Sequence, residues 1–400
     1  MAIVRRSFLF LFFSCWLQVT GFSQASLPLV RQPIHLKNKQ PFDLQVPAGY
    51  HISPALEGME RPRFFALAPD GRLFITDMHD RSDNKKGRVL ILDGWNEKEK
   101  TFSRAITYLA HLHNPNQVAF YAENGQYYPY VSETGQLTRY LYHAGDTIPS
   151  GTGTVIARFP DYGLSYKYGG WHLTRSLAFH NQKLYVSVGS SCDACLEKEE
   201  IRATIVEMDP DGKNQQLYAR GVRNAVGIKW VQDQLWVTHM GRDNRGPDKP
   251  EELLHPVERG GFYGWPYYYQ YKKTIIADTA FIRQPRPAYV RKPPIAPFSF
   301  KAHSAPLGFS YLTHFNDPAL NNSWLVALHG STSVWRQRGN AVVQVLPDGG
   351  YREVVTGFLQ GTTENKRYGR PCDLFIRDDH SFFISDDKSG VIYFVWKTPN

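Results

Sequence analysis

Cysteine is scarce in this sequence, with four residues in 400. No second CxxC accompanies Cys192-Asp193-Ala194-Cys195, which excludes a four-thiolate zinc site. Leu196 follows where a c-type haem attachment needs His. Cys372 stands alone and reads as a buried thiol. After the first residues no apolar run is long enough to span a membrane. No stretch shows persuasive helical periodicity, and no GxGxxG opens a helix, so a Rossmann nucleotide site is excluded. HExxH, a catalytic-serine elbow and a three-histidine zinc set are also missing. The formal net charge is +9. Its basic residues are scattered, so nucleic acid is not an expected partner.

What is present begins with a leader. Arg5 and Arg6 precede the apolar run from Ser7 to Trp16, and small residues follow from Gly21 to Ala25. This predicts a secretory signal peptide over residues 1–23 and a periplasmic or secreted chain without a membrane span. In an oxidising compartment, Cys192 and Cys195 are expected to close a small disulfide turn. Residues 24–40 read as a linker. Hydrophobic residues make up 42% and aromatics 14% of the chain, enough for a sizeable core. No charged or Gly/Ser-rich stretch divides residues 41–400, which are expected to form one domain.

That domain repeats itself. RPRFFALAPDGRLFITD, from Arg61 to Asp77, aligns without gaps with RPCDLFIRDDHSFFISD, from Arg370 to Asp386. Looser copies lie between them, each with an apolar triplet, a turn and a second strand. The triplets are Phe65-Ala66-Leu67, Val118-Ala119-Phe120, Leu177-Ala178-Phe179, Val226-Gly227-Ile228, Leu307-Gly308-Phe309 and Leu374-Phe375-Ile376. They lie roughly 50 to 80 residues apart, the spacing of four-stranded blades with their loops. The expected fold is all-β, a six-bladed β-propeller of four-stranded antiparallel blades. Phe42 to Tyr50 is expected to add a strand to the last blade and close the ring.

Equivalent positions in a propeller form a ring around its channel. Arg61, Asn114, His172, Arg223 with Asn224, His303 and Arg370 all precede a triplet and are expected at one mouth. Each taken alone reads as a loop cap; the set reads as a site. A neutral His can accept a hydroxyl proton, and arginines hold carboxylates and developing negative charge. The stretch Arg223–Pro266 adds a long polar loop, 241–262, with carboxylates and a Gly246-Pro247 turn. Backbone carbonyls of such a turn suit a hard cation such as Ca²⁺. The stretch ends on Tyr263-Gly264-Trp265-Pro266, an aromatic turn fit to support a pocket wall.

These motifs resemble the glucose/sorbosone dehydrogenase family, exported six-bladed propellers that use pyrroloquinoline quinone (PQQ) with Ca²⁺. The resemblance rests on GGWHLTRSLAF, LYVSVGSSCDAC, GVRNAVGI, GGFYGWPYY, AHSAPLGF, VALHGS and GRPCDLFIRDDHSFFISDDKSGVIY, in order from about Phe42 to Tyr393. The sorbosone dehydrogenase-like branch is the nearer likeness. The resemblance implies oxidation of an aldose or sugar aldehyde, with electrons passed to a separate acceptor. It implies His172 as general base, Arg223 and Asn224 beside the quinone carbonyl, and Arg370 on the cofactor. Gly246 and Pro247 would give carbonyls to Ca²⁺; a second register places Gly241 and Arg242 there instead.

Three positions depart from the family pattern. Ser190 stands where the soluble glucose dehydrogenases carry an acid that orients the base. Their fifth-blade lysine is absent, with His329 or Arg336 as the nearest substitutes. Cys372 sits where a second arginine would follow Arg370. Two other functions therefore stay open: a Ca²⁺-dependent lactonase, and a propeller that binds glycan or protein without catalysis.

Overall fold

The computed structural model describes residues 27–37, 39–161 and 172–398. The expected signal peptide, residues 1–23, lies outside them, as does Gly169-Gly170-Trp171 ahead of His172. Among the described residues, six sheets of four or more strands and two small two-stranded sheets make up the fold. No helix is long and apolar enough to cross a membrane.

The six triplets fall at or next to the first strand of each sheet. Those strands are Pro62–Leu67, Gln117–Glu123, Arg175–His180, Ile228–Val231, Pro306–Leu312 and Pro371–Asp378. They neighbour one another around the centre, and each sheet continues outward through antiparallel strands; blade 3 adds a fifth, Gly261–Phe262, parallel to Gln216–Arg220. The chain is a six-bladed β-propeller. Six apolar clusters fill the six seams between adjacent blades. Each strand buries alternate residues against both neighbours, which explains apolar runs without helical period.

The small middle residue of the triplets has a steric cause at Gly308. A Cβ there would lie 2.1 Å from Asp373 Oδ1 of the next blade. A hydroxyl series also stitches the inner strands together. The hydroxyl oxygens of Thr76, Ser132, Ser187, Thr238 and Ser385 each accept an N–H from the first strand of their own blade. Thr76, Ser132, Thr238 and Ser385 then donate to a carbonyl of the next blade, ending with Ser385 Oγ on Arg63 O across the closing seam. Buried inner-strand polar groups are thereby satisfied around the ring.

Three expectations need correction. The strand that completes blade 6 is Tyr50–Leu56, paired with Val391–Lys397, rather than Phe42 to Tyr50. Phe42–Pro47 instead pairs with Leu29–Ile34, so the segment read as a linker carries a strand. That hairpin packs Ile34, Leu36, Phe42 and Leu44 into the seam between blades 5 and 6. Finally, 241–262 is not one loop, because Glu252–Val257 is the third strand of blade 4. The insertion follows it: a Tyr268–Tyr271/Thr274–Ala277 hairpin and a coil precede the fourth strand, Phe298–Phe300.

Candidate functional site at one mouth of the channel

Two to four residues beyond the expected ring positions, Phe64, Val226, Leu307 and Cys372 pack together as a buried apolar floor. Cys372 is fully buried, as expected, and burial raises its thiol pKa above the usual range. Above the floor, most of the ring residues meet through polar contacts.

His172 sits in blade 3 with φ 56°, a left-handed conformation that its neighbours must hold in place. Its Nδ1–H donates to Ser190 O at 2.9 Å and lies 3.1 Å from Ser190 Oγ. A carbonyl can only accept, so the proton is on Nδ1 and the lone pair on Nε2. Burial, then Arg223, lower its pKa to about 3, so the imidazole is neutral near pH 7. The missing acid is thus replaced by a backbone carbonyl from the same position. Gly189 is needed for this approach: a Cβ would lie 2.6 Å from His172 Cβ and 2.8 Å from Asn224 Oδ1.

Arg223 is 2% exposed. Its Nε donates to Asp193 O at 2.9 Å, Nη2 to Asp193 Oδ1 at 3.1 Å, and Nη1 to Gly241 O at 2.7 Å. Asp243 lies 3.6 Å from Nη2. Behind it, Arg223 N donates to His239 Nε2, and His239 Nδ1 faces His255 Nε2 at 3.3 Å. Trp265 Nε1 donates to Asp193 O at 3.2 Å, which places the aromatic turn as a support for this wall. A cavity of about 240 Å³ lies beyond the wall, lined by His255, Tyr263, Trp265, Tyr268 and Tyr269. None of the ring side chains lines it, so it is not the mouth.

His303 connects the wall to blade 5. Its Nε2–H donates to Gly246 O at 2.8 Å, and its Nδ1 lies 3.5 Å from Asp243 Oδ1. Glu252 holds the same loop, accepting from Gly241 N and His303 N. Burial raises the Glu252 pKa to about 7.

The blade 5, 6 and 1 side is different in character. Arg61, Arg63 and His329 converge on the fully buried carboxylate of Asp387, at 2.9, 2.6 and 2.7 Å. An ionised Asp387 fixes the proton of His329 on Nε2. Burial, then Arg370, lower the His329 pKa to about 3. Arg370 donates to His329 O and Gly330 O, both carbonyls. Burial, together with Arg81, Arg367 and Arg61 and against the pull of Asp387, lowers the Arg370 guanidinium to about 9. Among the described residues, the buried Nε atoms of Arg61, Arg336 and Arg367 have no hydrogen-bond partner. Arg61, Arg63, Arg336, Arg367 and Arg370 gather on this side; Asp387 pairs with Arg61 and Arg63 and Glu364 with Arg367, while the buried Asp373 and Asp386 accept from backbone amides.

Asn114 takes the plain role. Its side chain accepts from Asn84 N and donates to Ser82 O, stitching a loop. Sequence reasoning missed Asp193, Asp243, Glu252 and Asp387. Asp387 had a readable signal: the last repeat closes on Asp386-Asp387, where the first closes on Asp77 alone. Asp77 and Asp386 cap the N–H of Arg61 and Arg370, and the added acid reaches the mouth.

Residues 165–344 match the family described as Glucose / Sorbosone dehydrogenase. That is the family to which the motifs pointed. A curated relative, an uncharacterized protein of Borreliella burgdorferi, is 26% identical over 233 residues, 54% of this chain. The match spans 58% of that relative's length. The holo PQQ domain of a Coprinopsis cinerea pyranose dehydrogenase superposes with TM-score 0.68 at 16% identity, covering 91% of this chain and 98% of that one. The calcium structure of a Trichoderma reesei carbohydrate-active enzyme gives 0.69 at 18%, covering 88% and 96%. The apo form of the soluble Escherichia coli aldose sugar dehydrogenase gives 0.61 at 14%, covering 87% and 100%. These likenesses show a shared six-bladed propeller fold.

The two cofactors expected for the family fare differently against the geometry. Partnerless guanidinium nitrogens and the depressed Arg370 suit a planar polyanion such as PQQ. Calcium at Gly246-Pro247 would have backbone carbonyls alone, one of them already sharing a lone pair with His303. Among the described residues no cluster of three acid or histidine ligands surrounds it. In the other register, Gly241 O accepts from Arg223. Asp193, Asp243 and Asp387 each face an arginine, which also leaves a lactonase without its carboxylate cage.

Proposed function

We propose that this chain is an exported PQQ-dependent dehydrogenase of the sorbosone-like branch, oxidising an aldose or sugar aldehyde. One observation carries the reading: a neutral imidazole with its lone pair on Nε2 shares a mouth with arginines, foremost Arg370, whose side chain donates to carbonyls and, among the described residues, to no carboxylate. His172 takes the substrate hydroxyl proton on Nε2, while Ser190 O keeps the other nitrogen protonated and the ring oriented. Arg370 and Arg61 would hold the carboxylates of the quinone and Arg223 with Asn224 would flank it, whereas His329 gives its single proton to Asp387 and serves the cofactor only by holding that carboxylate in place. Bound PQQ supplies the hydride acceptor that no side chain provides. Arg223 offers a fixed positive charge where negative charge develops. The apolar floor excludes water from below. Electrons then leave to a separate carrier.

The test is a titration of purified protein with PQQ, followed by absorbance, with and without Ca²⁺. A saturable bound-quinone spectrum and dye-linked oxidation of aldoses are expected. Absence of both sinks the proposal.

A further inference from the structure

The disulfide expected from sequence is present, joining Cys192 to Cys195. The turn it closes touches Arg223 directly and His172 through Ser190. Cys192 O accepts from Ser190 Oγ at 2.7 Å, and that oxygen lies 3.1 Å from His172 Nδ1. Asp193 O accepts from Arg223 Nε and from Trp265 Nε1. Asp193 Oδ1 accepts from Arg223 Nη2 and, at 2.6 Å, from Asp243 N. Asp193 Oδ2 accepts from Asn244 N at 3.3 Å and lies 3.5 Å from Arg242 Nε. Two arginines, two loop amides and an indole thus converge on one residue inside a four-residue covalent ring.

We propose that this disulfide-closed turn is the positioning element of the mouth, with Asp193 fixing Arg223 and the start of the loop that carries Asp243 and Gly246. The purpose rests on the dehydrogenase reading above; the contacts themselves do not. Asp193 grips the Nε–Nη2 edge of the guanidinium with a carbonyl and a carboxylate together. That leaves Arg223 one orientation, with Gly241 O holding the remaining nitrogen. The geometry needs the Cys192 and Asp193 carbonyls to point to neighbouring blades in succession. An open four-residue loop would populate other conformers. A covalent clip across it keeps both carbonyls aimed, so His172 and Arg223 are set relative to each other by one turn. Asp193 is a positioning residue here, not a catalytic one.

Hydrogen exchange on the cofactor-free protein tests the contacts. In Asp193→Ala the amides of Asp243 and Asn244 should exchange at least about tenfold faster, having lost charge-assisted bonds. The Phe65 amide, on the far side of the ring, serves as the control for an intact fold. The double variant Cys192→Ser/Cys195→Ser should show the same local change. Wild-type exchange rates in both variants would overturn the proposal. With PQQ, Asp193→Asn should weaken quinone affinity about tenfold and lower kcat more than it raises KM. Faster exchange with unchanged affinity and kcat would overturn the positioning role. If wild-type protein binds no quinone, the dehydrogenase reading falls, and the exchange experiment still decides this one.

Discussion

On the blade 4 side of the mouth, Arg223, Arg242 and Arg245 meet Asp193, Asp243 and Asp278, charge for charge. On the opposite side Arg61, Arg63 and Arg370 have Asp387 at their centre, and Arg370 itself reaches only carbonyls. The first side is electrostatically complete before any ligand arrives. Its arginine is aimed, as a group that must stabilise charge at one place should be. The second side leaves Arg370 on carbonyls, as a residue that must attract a charged ligand should be left. Both sides are arginine-rich in sequence, and only the partner set distinguishes aiming from attraction.

Four measurements would break or sharpen that contrast. The largest effect is expected at the base: His172→Ala should lower kcat on the order of 10²- to 10⁴-fold, with the melting temperature little changed. Unaltered turnover would remove His172 from the proton-accepting role. Next, Asp387→Asn deprives two arginines of their shared counter-charge and should cost about 3–5 kcal/mol in urea unfolding. A loss below about 1 kcal/mol would mean these cations do not depend on it. Third, Arg370→Gln should weaken PQQ binding roughly 30- to 100-fold and flatten its salt dependence. Equal losses from Arg242→Gln would erase the distinction between the two sides.

The smallest effect is a pH slope. His172 and His329 have pKa values of about 3 in the fold against a reference of 6.5. Between those values these two histidines bind more protons in the unfolded chain, so their contribution to stability falls as pH drops through that window; Glu252 and Asp386, raised to about 7 and about 6, contribute the opposite slope. The difference in melting temperature between wild type and His329→Gln isolates the histidine share and should change steadily from pH 7 to pH 4, wild type losing the more. A His329→Gln curve that parallels wild type would place the proton uptake elsewhere.

Much of this architecture is readable in the chain because the inner strands repeat a local pattern. Two triplets pass so close to the next blade that only glycine fits, at Gly227 and Gly308, and small residues recur in the middle of all but the last. The ring positions follow from that register, and His172, Arg223, His303 and Arg370 are found where the repeats put them. What the pattern hides is pairing between distant segments. Two neighbouring segments, Phe42–Pro47 and Tyr50–Leu56, both alternate well enough to complete blade 6; only packing against Val391–Lys397 chooses between them. Similarly, Ser190 reads as the loss of an acid, because sequence shows side chains and the orienting group is a carbonyl. The Gly246-Pro247 turn reads as an open cation site until His303, more than fifty positions away, is seen to share its carbonyl.

The packed residues beneath the ring have a further consequence. With Phe64, Val226, Leu307 and Cys372 closing the centre, the propeller is a cup and not a tube. Whatever enters through the arginine-lined opening has to leave by it. On the dehydrogenase proposal, a sugar and an electron carrier would have to share this one opening. They would take turns, the first departing before the second arrives, and initial-rate plots against the two should run parallel instead of crossing.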